Sequence, residues 1–262
     1  MSRTAFPMWH IDWGKSNHLF LNPKKCSAIS FSRSQQLIIF PYNIEGASLS
    51  RQTVVKDLGV IFDDRLTFND HVDAVASRAM RVLGFVKRNT REFDSLPALV
   101  TLFKSLVLPI LDYGSIVWSP FYACHKYQLE RVQNRFLRYV AYKRGIPRDE
   151  IELADLRRLC GLVSLSDRRF LMDTSFFHRL LRGTIDSPNL LSCFSLNVPA
   201  RFTRSTNLFH VPYAATNYLY HRPTSRLPRQ VNYCLSLSPP EADFFQMSTN
   251  VFVKCVRVVL GV

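Results

Sequence analysis

Arg131, Arg135 and Arg138 recur at spacings of four and three, which puts three guanidinium groups on one side of a helix. A guanidinium is planar, permanently charged and able to hold two phosphate oxygens at once, so a row of them suits a polyanionic backbone. Arg78, Arg81 and Arg88 repeat the pattern on an earlier segment. Contacts of this kind carry charge but read no base sequence. For one helix the ordinary alternative is a solvated charged face; the recurrence on two helices favours binding.

Other reactive combinations are weaker. Asp63-Asp64 follow a hydrophobic stretch, and converging carboxylates can hold divalent ions for phosphoryl transfer. Phe62 abuts Asp63 directly, and the upstream carboxylates Asp12, Glu45 and Asp57 do not complete such a site, so a solvated turn before a helix is the expected reading. Cys124 and His125 are adjacent, and sequence neighbours do not face each other on a helix. There is no Gly-x-Ser-x-Gly elbow, no phosphate-binding loop and no dinucleotide fingerprint. Triad partners need only be spatial neighbours, which spacing leaves open. The residues by themselves nominate neither a catalytic group nor a metal ligand.

Composition fits this picture. The 262 residues include 25 Arg and 9 Lys against 20 carboxylates, for a net charge of +14. That excess points either to a polyanionic partner or to a generally basic protein. At 47% hydrophobic and 21% charged, the chain has globular rather than disordered composition. Six widely spaced cysteines form no Cys-x-x-Cys pair, which excludes a zinc ribbon or knuckle and predicts reduced thiols. No run approaches the roughly 18 apolar residues of a membrane span. Met1–Phe6 lacks the apolar core of a signal peptide, so the expectation is an intracellular chain, cytoplasmic or nuclear, with no membrane partner.

The positioning elements follow from periodicity. Residues 17–66 read as strand and turn, including Tyr42–Gly46 and the β-branched stretch Val54–Phe62. From Asn69 the period becomes helical, with Val72, Val75, Ala76, Ala79, Val82, Leu83 and Val86 on one face and Asn69 or Asp70 as cap. A second helix opens at Ser95, with Leu99, Leu102, Phe103, Leu106 and Ile110 as its stripe, and Pro109 should kink or end it. A third runs from His125 to Tyr142, burying Leu129, Val132, Phe136 and Val140. Glu150–Cys160 and Ser166–Arg182 are further helices, each closed by a glycine. Ser187–Pro240 is proline-rich, acid-free and weakly patterned, and Ser248–Leu260 fits helix or strand equally.

These residues also form a recognisable series. Leu21-Asn22-Pro23-Lys24-Lys25-Cys26, Val55-Lys56-Asp57-Leu58-Gly59-Val60, Leu66–Val72, Leu111–Pro120, Leu129–Phe136 and Leu165–Arg169 occur in one order over about nine-tenths of the chain. The series resembles the C-terminal part of non-LTR (LINE-type, jockey-like) retrotransposon reverse transcriptases. The resemblance implies an α+β, mainly α fold: a palm remnant with a primer-grip hairpin over 1–66, a thumb helical bundle over 67–145, and an α-rich extension over 146–262. It implies that Leu58 and Gly59 support a primer strand, and that Arg81, Arg88, Arg131, Arg135 and Arg138 lie along RNA, an RNA–DNA heteroduplex or DNA. Asn22 and Lys25 are remnants of the Lys-Cys element beside the polymerase site. The family's catalytic aspartates lie upstream of that element, so the expectation is a truncated fragment, not an enzyme by itself. It would have no cofactor in this chain, Mg²⁺ belonging to the intact polymerase, and a separate polymerase half as possible partner. An inert pseudogene-like remnant and a stand-alone RNA- or DNA-binding protein are the alternatives.

Overall fold

A computed structural model describes residues 13–14, 16–19, 22–34, 39–44, 46–92, 94–198, 207–237 and 244–262. The chain divides into two compact units, Met1–Asp73 and Ala74–Val262. The fold is α+β and mainly α, with the strands among the described residues lying in the first unit.

The first unit holds three two-stranded pieces. β1 (Ser27–Ala28) pairs in parallel with β4 (Ser50–Arg51), and β2 (Asn43–Ile44) pairs antiparallel with β3 (Ala47–Ser48). β5 (Val54–Asp57) and β6 (Val60–Asp63) form a hairpin in the register Asp57↔Val60 and Val54↔Asp63. Val54–Phe62 is therefore two strands. Leu58 and Gly59 make the two-residue loop, both at positive φ (44° and 86°), the left-handed geometry whose twist matches that of the flanking strands. Glycine takes it without cost; Leu58 does not, and is 83% exposed.

Helix α1 (Asn69–Asn89) begins in the first unit, and its residues from Ala74 onward belong to the second. Asn69 is its first residue, not its cap. Its entry is instead organised by Asp63, whose carboxylate accepts from the backbone N–H of Thr67 and of Phe68, each at 2.8 Å, and from that of Arg65. Within the same unit, buried His71 accepts from the Ile61 N–H through Nδ1. The expected face of α1 is buried, with Val82 only half so.

In the second unit α2 (Leu96–Leu102) runs through a π-helical segment, Phe103–Val107, into α3 (Leu108–Asp112). The i→i+5 bonding of the π turn inserts one extra residue. The buried stripe accordingly steps forward, from Leu99 and Phe103 to Val107, Leu108 and Leu111, leaving Leu106 exposed and Ile110 half-buried. The extra residue also accommodates Pro109, which would otherwise collide with the carbonyl four residues back. The helix continues past Pro109 and stops at Asp112, where Gly114 takes φ 65°. After α4 (Ser115–Trp118) comes α5 (Ala123–Lys143), which buries Leu129, Val132, Phe136, Leu137 and Val140. Phe136 stacks on Phe103 at 4.1 Å.

Helices α6 (Leu153–Leu159) and α7 (Leu165–Leu181) are followed by left-handed Gly161 and Gly183, the expected stops. The described parts of the proline-rich stretch are more regular than its pattern suggested. They contain α8 (Pro188–Leu191), α9 (Asn217–His221) and the 14-residue α10 (Pro223–Ser236), which carries Pro228 internally. The last helix, α11 (Thr249–Leu260), is capped by the Ser248 hydroxyl, which accepts from Val251 N–H. Its residues Phe252 and Val256 join Phe177 and Leu180 of α7 and Leu227 and Val231 of α10 in one core. Each such side chain contributes roughly 1.5–3 kcal/mol by leaving water. Asn232 pins the intervening loop, accepting from Phe209 N–H and donating to Phe209 C=O.

Candidate nucleic-acid interface

Helix α5 buries a mainly apolar inner face, in which Gln133 donates to the Val163 carbonyl at 2.9 Å, and its arginines occupy the outer face. Arg131, Arg135 and Arg138 are all exposed there. None of them pairs with a carboxylate among the described residues. Tyr127 (69% exposed) and Tyr142 (77% exposed) extend the row at its two ends, giving the order aromatic, three arginines, aromatic. Sequence periodicity contained those tyrosines at the same helical spacing; attention to charge alone passed them over.

Helix α1 lies beside α5 and runs in the same sense. Arg135 donates to the sulfur of Met80; the Tyr139 hydroxyl exchanges hydrogen bonds with the Thr90 side chain and backbone; Lys143 donates to the Arg91 carbonyl. Lys87 sits 5.2 Å over the Tyr139 ring. Burial first, and then the charge of Arg135, push the Lys87 ammonium below its ordinary pKa. Burial accounts for most of that depression, and only the smaller contribution of Arg135 reflects neighbouring positive charge. Lys87 was not apparent from the sequence, because its role depends on the packing of α1 against α5. Arg78, Arg81 and Arg88 are exposed on α1, with Phe85 (53% exposed) between the last two. Arg88 folds back so that its terminal nitrogen lies near Gly84.

The remaining candidates lie in the first unit. Leu58 and Gly59 form the tip of the β5–β6 hairpin. Asn22 caps a single 3₁₀ turn, Pro23–Lys25, by accepting from Lys24 N–H at 3.0 Å; Lys25 is an exposed member of that turn. Asp63 is spent on the backbone, as a turn before a helix requires. Burial opposes its ionisation, but the Thr67 and Phe68 N–H groups, the Thr67 hydroxyl and the Arg65 N–H together lower its pKa below the usual value. Among the described residues no group of three or more His, Cys, Asp or Glu side chains could hold a metal ion. No described helix is long and apolar enough to cross a membrane. Arg201 and Arg204 of the acid-free stretch lie outside the described residues.

Two curated proteins are similar to part of this chain. One is the "Probable RNA-directed DNA polymerase from transposon X-element" of Drosophila melanogaster, 24% identical over 131 residues, covering 49% of this chain and 14% of the relative. The other is the "Probable RNA-directed DNA polymerase from transposon BS" of the same organism, 27% identical over 140 residues, covering 51% of this chain and 16% of the relative. Over that stretch the chain is similar to RNA-directed DNA polymerases of transposons. The match takes in about half of this chain but only about one-seventh of either polymerase's length. No family model and no solved structure matches it.

Proposed function

We propose that this chain is the duplex-gripping, thumb-side part of a non-LTR-type reverse transcriptase and binds RNA–DNA heteroduplex or structured RNA without sequence preference. The observation that carries the reading is the exposed, carboxylate-free row Arg131–Arg135–Arg138 beside Lys87. Arginines without carboxylate partners keep their donor capacity for phosphate oxygens. Exposed Tyr127, Tyr142 and Phe85 offer ring faces on which splayed bases stack, which is equally sequence-tolerant. In this reading the β5–β6 hairpin supports the primer strand at Leu58–Gly59, and Arg81 and Arg88 extend the phosphate track. The three-part division at residues 66 and 145 is the corresponding domain plan. Nucleotide addition is not assigned to these residues, since Asp63 is committed to a backbone turn. The polymerase half of such an enzyme, in the same chain or another, is the partner the reading calls for.

The test is fluorescence anisotropy with a labelled RNA–DNA heteroduplex. Wild-type protein binds, and Arg131→Ala/Arg135→Ala/Arg138→Ala binds more weakly regardless of the sequence used. Equal affinity of the two proteins would refute the reading.

A further inference from the structure

The second unit contains a pocket of about 260 Å³ between α5, α7 and the α9–α10 segment. Lys126, Arg169, Arg226 and Arg229 line it, and so do His221 and Phe121, whose rings stack at 4.6 Å. Two carboxylates share the lining, but each has a partner. Asp173 holds Arg226 at 2.8 Å, and Asp167 accepts the Ser164 hydroxyl at 2.6 Å.

Arg169 is the informative residue. It is 3% exposed, and neither terminal nitrogen of its guanidinium has a hydrogen-bond partner. Three carboxylates, Glu130, Asp112 and Asp173, surround it closely enough to favour its charge. Each is engaged elsewhere: Glu130 with Leu165 N–H and Arg157, Asp112 with Arg168, Asp173 with Arg226. Burial still disfavours the Arg169 charge, the three carboxylates offsetting it only in part, and its terminal donors are not used. Buried donors left unused are costly, and an anionic acceptor is what satisfies them. Gln230, also on the lining, has a buried Oε1 without a partner, an acceptor for a hydroxyl or amino group. The pocket's potential registers on His221: burial, then Arg229, Lys126 and Arg226, disfavour its protonation.

We propose that this pocket binds a phosphomonoester carrying a hydrogen-bond donor, either a free mononucleotide or the terminal nucleotide of a nucleic-acid strand. The phosphate accepts from Lys126 at the rim and, once the shielded guanidinium turns into the space, from Arg169, while the Gln230 amide turns likewise to meet the ligand's donor. A phosphomonoester carries roughly −1.5 to −2 charge at neutral pH, which complements four lining cations set against two carboxylates. None of the residues belongs to the Arg131–Arg135–Arg138 row, so the site stands or falls separately from the proposed grip.

Isothermal titration calorimetry on the full chain tests it with four probes: inorganic phosphate, adenosine 5′-monophosphate, and a short oligonucleotide with and without a 5′-phosphate. Phosphate-bearing probes bind, and Lys126→Glu at the rim weakens them about tenfold or more, the effect of removing one charge-assisted hydrogen bond. Arg169→Lys weakens them further; its thermal unfolding is compared to separate misfolding from weakened binding, while Lys126→Glu needs no buried change. Preference for the mononucleotide assigns a free ligand; preference for the phosphorylated oligonucleotide assigns a strand end. Retention of both by the Arg131/Arg135/Arg138 variant separates this site from the duplex grip. No binding by any phosphate-bearing probe, or undiminished binding by Lys126→Glu, would overturn the proposal.

Discussion

Replacing Asp173 with Asn keeps the side chain's shape and removes the charge on which Arg226 leans. The two are 1% and 8% exposed and meet at 2.8 Å. Arg226 also donates to the carbonyls of His221 and Ile116, so one guanidinium ties α7, the end of α9 and α4 together. Burial holds the Asp173 carboxyl above its ordinary pKa despite the neighbouring Arg226 charge, a sign of how little water reaches the pair. Removing one member of a buried pair strands the other and costs about 3–5 kcal/mol. At about 2–4 °C per kcal/mol for a unit of this size, the midpoint falls by roughly 6–20 °C. Asp155→Asn supplies the control, because the Arg158–Asp155 pair is solvated at 80% and 59% exposure and such pairs contribute about 0–1 kcal/mol. Differential scanning calorimetry and urea titration read both. Asp173→Leu with Arg226→Met regains part of the stability, since an apolar pair has no stranded charge; the orphaned His221 and Ile116 carbonyls limit the recovery. A cost below about 1 kcal/mol for Asp173→Asn would refute the reasoning.

Two further outcomes follow from single sites. His178 is stacked on Phe252 at 4.8 Å and bonded to Thr249 Oγ1 and the Phe244 carbonyl; burial, reinforced by Arg182, lowers its pKa against the opposing pull of the Phe244 and Met247 carbonyls. Its folded form binds fewer protons than the unfolded form, so its contribution is complete above about pH 6.5 and declines as pH falls from there toward the folded value, by at most about 1.4 kcal/mol per pH unit. Urea unfolding of His178→Gln should show a flatter acid limb than wild type. The difference between the two is the quantity to read, because Asp112, Glu130 and Asp173, all raised by burial, act in the opposite direction; parallel limbs would contradict the assignment. Asp63→Ala should cost about 1–2 kcal/mol and speed amide exchange at Thr67 and Phe68; since the Asp63 pKa is lowered, the wild-type advantage disappears as pH drops through that folded value. Unchanged exchange at those two amides would remove Asp63 as the organiser of the turn.

Much of this architecture is legible in the residues themselves. The face of α1, the inner face of α5 and the glycine stops at Gly161 and Gly183 follow from spacing and backbone sterics alone. The π turn at Phe103–Val107 is not legible, because it is a compromise among Pro109, the buried side chains and the rest of the helix. Nor is α10, whose internal proline argued against a helix until Leu227, Val231 and Cys234 found a core to enter. The arginine row is visible as a pattern, whereas Lys87 and the pocket around Arg169 exist only once separate helices meet. Asp63 illustrates the reverse: a carboxylate that suggests metal chemistry by type is tied to local backbone by its position.

The grip itself is tested most directly by the salt dependence of heteroduplex binding. Plotted as log affinity against log salt, the wild-type protein should give a steep negative slope. Removing Arg131, Arg135 and Arg138 together should flatten it by about 0.7–0.9 for each phosphate that the variant leaves unneutralised. Identical slopes for the two proteins would mean that these guanidinium groups touch no phosphate, and the central claim would fail.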